Sequence, residues 1–500
     1  MSDLSVQLTA PNGVTYTQPT GLFIDGEFCK AAKGGTITSI DPATEKPIVD
    51  VQAATEEDVD RAVKAAYAAL RKPEWKHMTG AERGKLLYKL ADLIDENRKL
   101  FATIDAWDNG KPFWEAYEGD IPEAAAVIRN HAGYADKING QTIPVSRTKL
   151  AYTIRQPIGV VAQIIPWNYP TSMIAWKLGP ALACGNAVVL KAAEQTPLSV
   201  LVFADLVKKA GFPAGTVNLI NGLGREAGAP MVSHPLVDKV AFTGSTETAK
   251  AIMASAAKTL KNVTFETGGK SPLLVFDDAD MEQAIKWSHM GINSNSGQIC
   301  TATSRILVQE SVYDRFVDQF IETVKKVSKV GNQWEKETYQ GPQASKVQYE
   351  KVLEYINIGK SEARLAHGGG SLTVGDGKGF FIQPTVFRDV RPTTRIWKEE
   401  IFGPVVVIAS FKTEEEAIEL ANDSLFGLGA SIFTTDLVRA HRVAGEIESG
   451  TVWINSSQDC DPLVPFGGVK QSGIGRELGD VGLDAYTQVK AVHINMGSRL

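Results

Sequence analysis

Cys300 stands in NSNSGQICTATSR, among small and polar residues. Such a setting leaves a sulfur approachable and leaves backbone N–H groups free to receive developing negative charge. A thiolate is the strongest simple nucleophile available to a protein near neutral pH. Glu266, in VTFETGGKSP, ends an apolar run and meets a Gly-Gly turn. A carboxylate at the carboxyl end of a strand sits where open α/β sheets bind ligands, and partial desolvation makes it a usable base. In PWNYP, two prolines stiffen a turn around Trp167, Asn168 and Tyr169, and a fixed Asn amide can donate to an oxyanion. Taken singly, each has a plain alternative: a structural thiol, a solvated strand-end acid, an ordinary turn.

A second group concerns phosphate. KVAFTGSTETAK reads as strand, Gly244-Ser245-Thr246, helix, and a helix N-terminus presents free N–H groups to an anion. GLGREAG supplies Gly222, Gly224 and Gly228, a loose variant of the dinucleotide glycine pattern. Lys191 and Glu194 follow the strand AVVLK, where they could hold ribose hydroxyls or simply be surface residues.

These residues need a scaffold. IGVVAQII, AVVLK, TVNLI, KVAFT and VTFE are short β-rich runs separated by helix-length segments, which predicts βαβ units and a parallel sheet covered on both faces. After GGKSP the alternation restarts with LLVF, RILVQ, VVVIASF, ASIFTT and TVWIN, a second α/β unit with amphipathic helices at 311–329 and 413–422. LAYTIRQ and a terminal strand at 488–495 fit neither unit. Ahead of them, Leu22–Phe28 reads as strand–turn–strand around Asp25-Gly26. Helices open at Thr55 and Thr79 with Asp58 and Glu82 as capping-box partners, and a third helical stretch carries Trp107 and Trp114 near its ends. The first 20 or so residues read as a loose polar arm.

Composition narrows the function. The 500 residues are 43% hydrophobic and 22% charged, with net charge −6. That is an ordinary globular composition for two to four domains, and its mild acidity argues against nucleic-acid binding. No apolar run is long enough to cross a membrane, and the first residues lack the features of a secretory signal. Four cysteines without a CxxC pair, and seven histidines without HExxH, predict neither a disulfide scaffold nor a zinc site.

Seven segments together carry more weight than any one. PWNYP, WKLGPALACGNAVVLKAAEQTPL, FTGSTETAK, ETGGKSP, GQICTATSR, EEIFGPV and PFGGVKQSGIGRE occur in order along the chain. In them the sequence resembles the NAD(P)-dependent aldehyde dehydrogenase superfamily from about residue 20 to 495. Thr267 stands where the family usually has leucine after the base, and KAAE replaces the commoner KPSE; the charged residues of both motifs are kept.

The resemblance implies an α/β fold: a Rossmann-like cofactor domain (21–136 and 157–266), a catalytic domain (267–466) and a small oligomerisation sheet (137–156 and 480–497), behind an arm at 1–20. It implies a homotetramer or homodimer that binds NAD and no metal. Cys300 matches the nucleophile, Glu266 the general base, Asn168 the oxyanion donor and Lys177 a motif lysine near base and cofactor. Lys191 and Glu194 match the adenosine-ribose contacts, and Trp167 and Ser245 the pyrophosphate contacts. Glu400 and Phe402 match the groups that hold the nicotinamide ribose and ring. Ile165, Gly224, Gly228, Gly244 and Gly268 complete the expected cofactor set.

The implied substrate tunnel comprises Tyr169, Met173, Trp176, Ser294, Cys460 and Phe466. Ser294 and Cys460 replace the phenylalanines of many relatives, so a wider tunnel for aliphatic or aromatic aldehydes is expected. SSQDC and GQICTATSR also resemble aminoaldehyde and betaine-aldehyde dehydrogenases, and Asp459 and Asp461 could add negative charge near the entrance. A catalytically silent binding protein would be expected to have lost Cys300, Glu266 or Asn168, and a CoA-acylating relative to have lost Glu266; all three residues are present. The terminal Ser498-Arg499-Leu500 resembles a peroxisomal address read by an import receptor, with the cytoplasm as the alternative.

Overall fold

The computed structural model describes residues 4–497. Two parallel sheets dominate it. The first has the strand order Gly473–Ile474, Asn262–Glu266, Lys239–Thr243, Val160–Ile164, Ala187–Lys191, Val217–Ile220, Leu22–Ile24, Glu27–Cys29. The five strands from Asn262–Glu266 to Val217–Ile220 run parallel; the short strands beyond them run antiparallel. The central strands are buried through almost every residue, which explains their continuous apolar runs.

Helices cover both faces. On one side Gly80–Glu96, Arg98–Asp108, Ile121–Tyr134, Pro170–Ala183 and Leu198–Ala210 build a large core. On the other, Glu56–Ala69 and Thr246–Ala256 pack on Val160, Val189 and Val240. Capping boxes at Thr55/Asp58 and Thr79/Glu82 start two of these helices. Pro170–Ala183 is buried through every residue, so it is apolar nearly all round.

The second sheet runs Arg364–His367, Thr385–Arg388, Val405–Phe411, Arg305–Gln309, Pro272–Val275, Gly429–Phe433, Thr451–Ile454, parallel except for its first strand. Helices Met281–Asn293 and Tyr313–Val327 pack on one face, and Lys346–Glu362, Glu414–Asn422 and Leu437–Glu446 on the other. A third, antiparallel sheet joins Thr142–Ser146, Lys149–Pro157 and Thr487–Asn495. Thr487–Asn495 is its edge, and Val489, Ile494, Ile143 and Val145 are exposed on this sheet.

Two expectations are corrected, and one further strand is added. The amino-terminal segment is not a loose arm from residue 5 on: Ser5–Thr9 and Thr15–Pro19 form an antiparallel hairpin, and Tyr16 and Gln18 are buried. Alternation over five residues is too short to stand out in a polar stretch. The third helical stretch is broken between Trp107 and Trp114. Its first part ends at Asp108, and Gly110 has φ 88°, a value that cannot continue a right-handed helix. After 466 the chain returns to the first sheet through Gly473–Ile474, which pairs with Asn262–Glu266, so that sheet is completed by a segment more than 200 residues later. The terminal Ser498-Arg499-Leu500 lies outside the described residues.

Candidate active site

Strand order decides where the site lies. Val160–Ile164 has Lys239–Thr243 on one side and Ala187–Lys191 on the other, so the winding reverses there. Ligands in open α/β sheets bind outside the carboxyl ends of strands at such a reversal. Three neighbouring strands end there side by side, with Thr243 in register with Glu266 and Phe242 with Ile164. Their continuations are Ile165-Pro166-Trp167-Asn168-Tyr169, Gly244-Ser245 and Thr267-Gly268.

The second sheet brings the cysteine. Cys300 lies in the turn ahead of Arg305–Gln309, after Asn295 (φ 47°), Ser296 (φ 57°) and Gly297 (φ 72°). Three consecutive left-handed residues make a tight bend that only surrounding contacts can maintain. A side chain at Gly297 would meet the Gly403 backbone at 2.2 Å. Asn295 Nδ2 donates to Asn168 O at 3.0 Å and Gln298 O at 3.2 Å, and Asn168 Nδ2 donates to Gln298 O at 2.9 Å. The Cys300 bend and the PWNYP turn are thus latched together, and one N–H of the Asn168 amide is left for the cavity.

Cys300, Glu266 and Asn168 line one cavity of about 570 Å³. Glu266 is 4% exposed, and its Oε1 has no hydrogen-bond partner among the described residues. Burial, reinforced by the Glu477 carboxyl, pushes Glu266 up to about 8, while the nearby Cys300 thiol and Lys177 pull it down. Burial and the Glu266 carboxyl push the Cys300 thiol well up; the Thr301 N–H acts against them. A carboxyl raised by burial into the neutral range is poised to act as a general base on what it faces.

The structure also gathers most of the expected cofactor and tunnel residues on this cavity wall. Trp167, Gly244, Ser245, Gly268, Glu400 and Phe402 line it, as do Tyr169, Met173, Trp176, Ser294, Cys460 and Phe466. Trp167 meets Phe402 edge-on at 5.4 Å, and Trp176 meets Phe466 at 5.1 Å. The Gly269 N–H donates to Glu400 Oε1 at 2.9 Å, and a side chain at Gly268 would strike Glu400 Oε2 at 2.3 Å. Ser245 caps the helix Thr246–Ala256, accepting from the Thr248 N–H.

Other expected residues lie apart from the cavity wall. Lys177 is not at its surface: the ammonium is fully buried beneath, donating to Thr243 Oγ1 at 2.6 Å and paired with the Glu477 carboxylate. It is carried there by the helix Pro170–Ala183, every residue of which is buried. Lys191 Nζ bonds Ala192 O at 2.8 Å and lies 3.8 Å from Glu194, at the end of the strand beyond the reversal. Ile165 is buried at the end of its strand. Gly224 and Gly228 bound a π-helical turn after the strand Val217–Ile220, and a side chain at Gly224 would meet nothing within 4 Å.

Sequence reasoning missed an acidic part of the wall. Glu115, Asp120 and Glu123 line the cavity from one helical segment, beside Asp459, the loop acid expected near the entrance. A π-helical turn at Ala116–Asp120 changes the phase of that segment, so residues five apart come to the same side. No sequence pattern announces such a turn. Burial pushes Glu115 and Glu123 each up to about 7. Glu477 was also missed; only its pairing with Lys177, 300 residues earlier, gives it a role.

No cluster of candidate metal ligands exists among the described residues, and none of their helices is long and apolar enough to cross a membrane. Comparison with known proteins gives a consistent result. The model of the aldehyde dehydrogenase family matches residues 28–492. An aldehyde dehydrogenase of Aspergillus niger is 52% identical over 501 residues, covering 100% of both chains. The aldehyde dehydrogenase [NAD(P)+] 1 of Saccharomyces cerevisiae is 48% identical, covering 97% of this chain and 96% of its own. Among solved structures, an NAD+ complex of aldehyde dehydrogenase from Bacillus cereus superposes with a TM-score of 0.94 at 50% identity, covering 96% of this chain and 97% of that one. Betaine aldehyde dehydrogenase from Staphylococcus aureus with NAD+ gives 0.94 at 41% identity, covering 97% and 96%.

Proposed function

The chain belongs to the aldehyde dehydrogenase family, and from that premise we propose that it oxidises aliphatic and aromatic aldehydes to carboxylic acids at Cys300, with NAD as acceptor. The observation that carries the reading is the meeting of Cys300, Glu266 and Asn168 on one cavity, held by the Asn168–Gln298 and Asn295–Asn168 bonds.

The Cys300 thiol releases its proton to solvent and its sulfur adds to the aldehyde carbon. The oxyanion so formed is held by the free N–H of Asn168 and by backbone N–H of the cysteine turn. When bound, the cofactor supplies the hydride acceptor that converts the adduct to a thioester. Glu266 then takes a proton from water, whose oxygen attacks the thioester and frees the acid and the Cys300 thiol. Lys177 and Glu477 lie behind Glu266 and set its electrostatic surroundings.

The wall residues fit the cofactor. Ser245 opens a helix whose first N–H groups suit a pyrophosphate, together with Trp167. Glu400, with one oxygen fixed by Gly269, suits the nicotinamide ribose, and Phe402 suits the ring. Lys191 and Glu194 would take the adenosine ribose. The Glu194 carboxylate accepts hydrogen bonds from both hydroxyls and repels a 2′-phosphate, which favours NAD over NADP. The exposed apolar edge of the third sheet supports assembly as a homotetramer or homodimer. The terminal tripeptide supports peroxisomal import.

The test is a turnover panel of acetaldehyde, hexanal and benzaldehyde with each nicotinamide cofactor. NADH formation in the wild type, lost in Cys300→Ala while the cofactor still binds, is the expected result. Undiminished NADH from Cys300→Ala would overturn the assignment.

A further inference from the structure

Two loops that carry none of the reacting groups brace the two turns that do. The first is residues 105–111, at the end of the helix Arg98–Asp108. It holds alternate residues of the PWNYP turn and of the helix that follows. Asn109 Nδ2 donates to Trp167 O at 2.8 Å, the Lys111 ammonium lies 3.9 Å over the Tyr169 ring, and the Thr171 N–H donates to Asp105 Oδ2 at 3.3 Å. The second is residues 341–344, which hold the cysteine turn. Ser296 Oγ donates to Gly341 O at 3.0 Å, Gln343 Nε2 to Ser296 O at 3.2 Å, and the Ala344 N–H to Gln298 Oε1 at 3.0 Å.

The two loops meet each other. A side chain at Gly341 would strike Gly110 O at 2.0 Å, and one at Gly110 would strike Pro342 Cγ at 2.7 Å. Asn168 follows a strand of the first sheet and Cys300 precedes a strand of the second, so this junction ties the placing of one turn to that of the other. Asn109 is fully buried within it. Its Oδ1 accepts the Lys111 N–H at 3.1 Å, and its Nδ2 is the group that reaches Trp167 O. A buried amide is costly unless bonded, and an apolar side chain would fill the space without that cost. What the amide adds is direction: it fixes the carbonyl of the peptide that joins Trp167 to Asn168.

We infer that Asn109 is a positioning residue for aldehyde oxidation: it sets the peptide between Trp167 and Asn168, and through it the place of the Asn168 amide relative to the Cys300 sulfur. This rests on the reaction proposed above, in which Asn168 donates to the oxyanion. Asn109 is not on the cavity wall, so it acts through the turn and not on the substrate. A donor stabilises an oxyanion fully only when aimed at its final position, and a misplacement of about 1 Å can cost about 100-fold in rate.

The experiment measures the single-turnover rate of NADH formation with saturating hexanal in the wild type, Asn109→Asp, Asn109→Leu, Asn168→Ala, and each Asn109 change combined with Asn168→Ala. Rates are expressed per NAD-binding site, counted by fluorescence titration, so unfolded protein does not enter. Asp keeps the acceptor for the Lys111 N–H and loses the donor to Trp167 O; Leu keeps the volume and loses both. Each Asn109 change is expected to slow NADH formation by about tenfold or more, with NAD affinity within about twofold of the wild type. When Asn168 is already alanine, the same changes are expected to slow it by less than about twofold. A residue that only supported the fold would show the same loss in both backgrounds, and that result would overturn the inference. So would a rate that neither change moves, a loss confined to NAD affinity, or the failure of both variants to bind NAD. An undiminished rate in Asn168→Ala would remove Asn168 as the donor and this inference with it, leaving oxidation at Cys300 standing. Absence of NADH from the wild type with every aldehyde of the panel would remove the function itself.

Discussion

Replacing Glu266 by Gln separates the two halves of the proposed reaction. The residue is 4% exposed, and burial pushes its carboxyl from 4.5 up to about 8. At pH 7 about a tenth of the free enzyme then holds it ionised, and at pH 8 about half. If release of the acid limits turnover, the steady rate rises about fivefold between these two values and levels off above pH 9. Gln has the same shape and cannot take a proton from water. Stopped-flow mixing of Glu266→Gln with cofactor and aldehyde should therefore give a burst of NADH near one per subunit, then a steady rate lowered by about 100-fold or more. A second readout comes from stability. A carboxyl whose folded pKa lies above its unfolded value favours the fold fully below pH 4.5, and that favour is lost as pH rises toward 8. The loss is of order 5 kcal/mol, and Gln does not incur it. The melting temperature of Glu266→Gln should exceed that of the wild type by more at pH 8 than at pH 5. Steady turnover near the wild-type rate, or a gap in melting temperature that shrinks with rising pH, would refute the reasoning.

Other outcomes follow from the same geometry. Asn168→Ala removes the side-chain donor to the oxyanion, and kcat should fall about 100- to 1,000-fold with cofactor affinity kept, as measured by steady-state kinetics and fluorescence titration. Glu194→Gln removes the carboxylate that would repel a 2′-phosphate, so the ratio of kcat/KM for NADP over NAD should rise by about tenfold; an unchanged ratio would show that Glu194 does not discriminate. Val489→Lys with Ile494→Lys places charge on the exposed edge strand, and light scattering should then report a smaller species than the wild-type assembly. A wild type that is monomeric at micromolar concentration would refute the edge as an interface. Deleting residues 498–500 should move an amino-terminally tagged enzyme from puncta to diffuse cytosol; a diffuse pattern for the intact protein would show that the tripeptide is not read.

The parallel strands were legible because burial on both faces leaves unbroken apolar runs, as in Val160–Ile164 and Val405–Phe411. Helix starts at Thr55 and Thr79 were legible because a capping box is a local arrangement. What escaped depends on long-range or phase-shifted geometry. The hairpin Ser5–Pro19 is half-polar and is held by burial of Tyr16 and Gln18 against distant residues. Gly473–Ile474 is too short to carry a period. Cys300, Glu266 and Asn168 could be singled out one by one, since each sits in a motif, but nothing local states that three loops converge. Lys177 illustrates the limit. Its motif placed it near the base, yet its burial under the cavity floor and its pairing with Glu477 depend on a helix face and on a contact 300 residues away. The acids Glu115, Asp120 and Glu123 carry no local mark, because a π-helical turn moves them onto the wall.

The central claim is that substrate carbon becomes covalently bound to the Cys300 sulfur. The most direct measurement is peptide mass spectrometry of Glu266→Gln, quenched in acid just after the NADH burst with hexanal. A hexanoyl increment on the peptide containing Cys300, absent without cofactor, is the predicted result. A complete burst with unmodified Cys300, or with the increment on Cys29, Cys184 or Cys460, would contradict it.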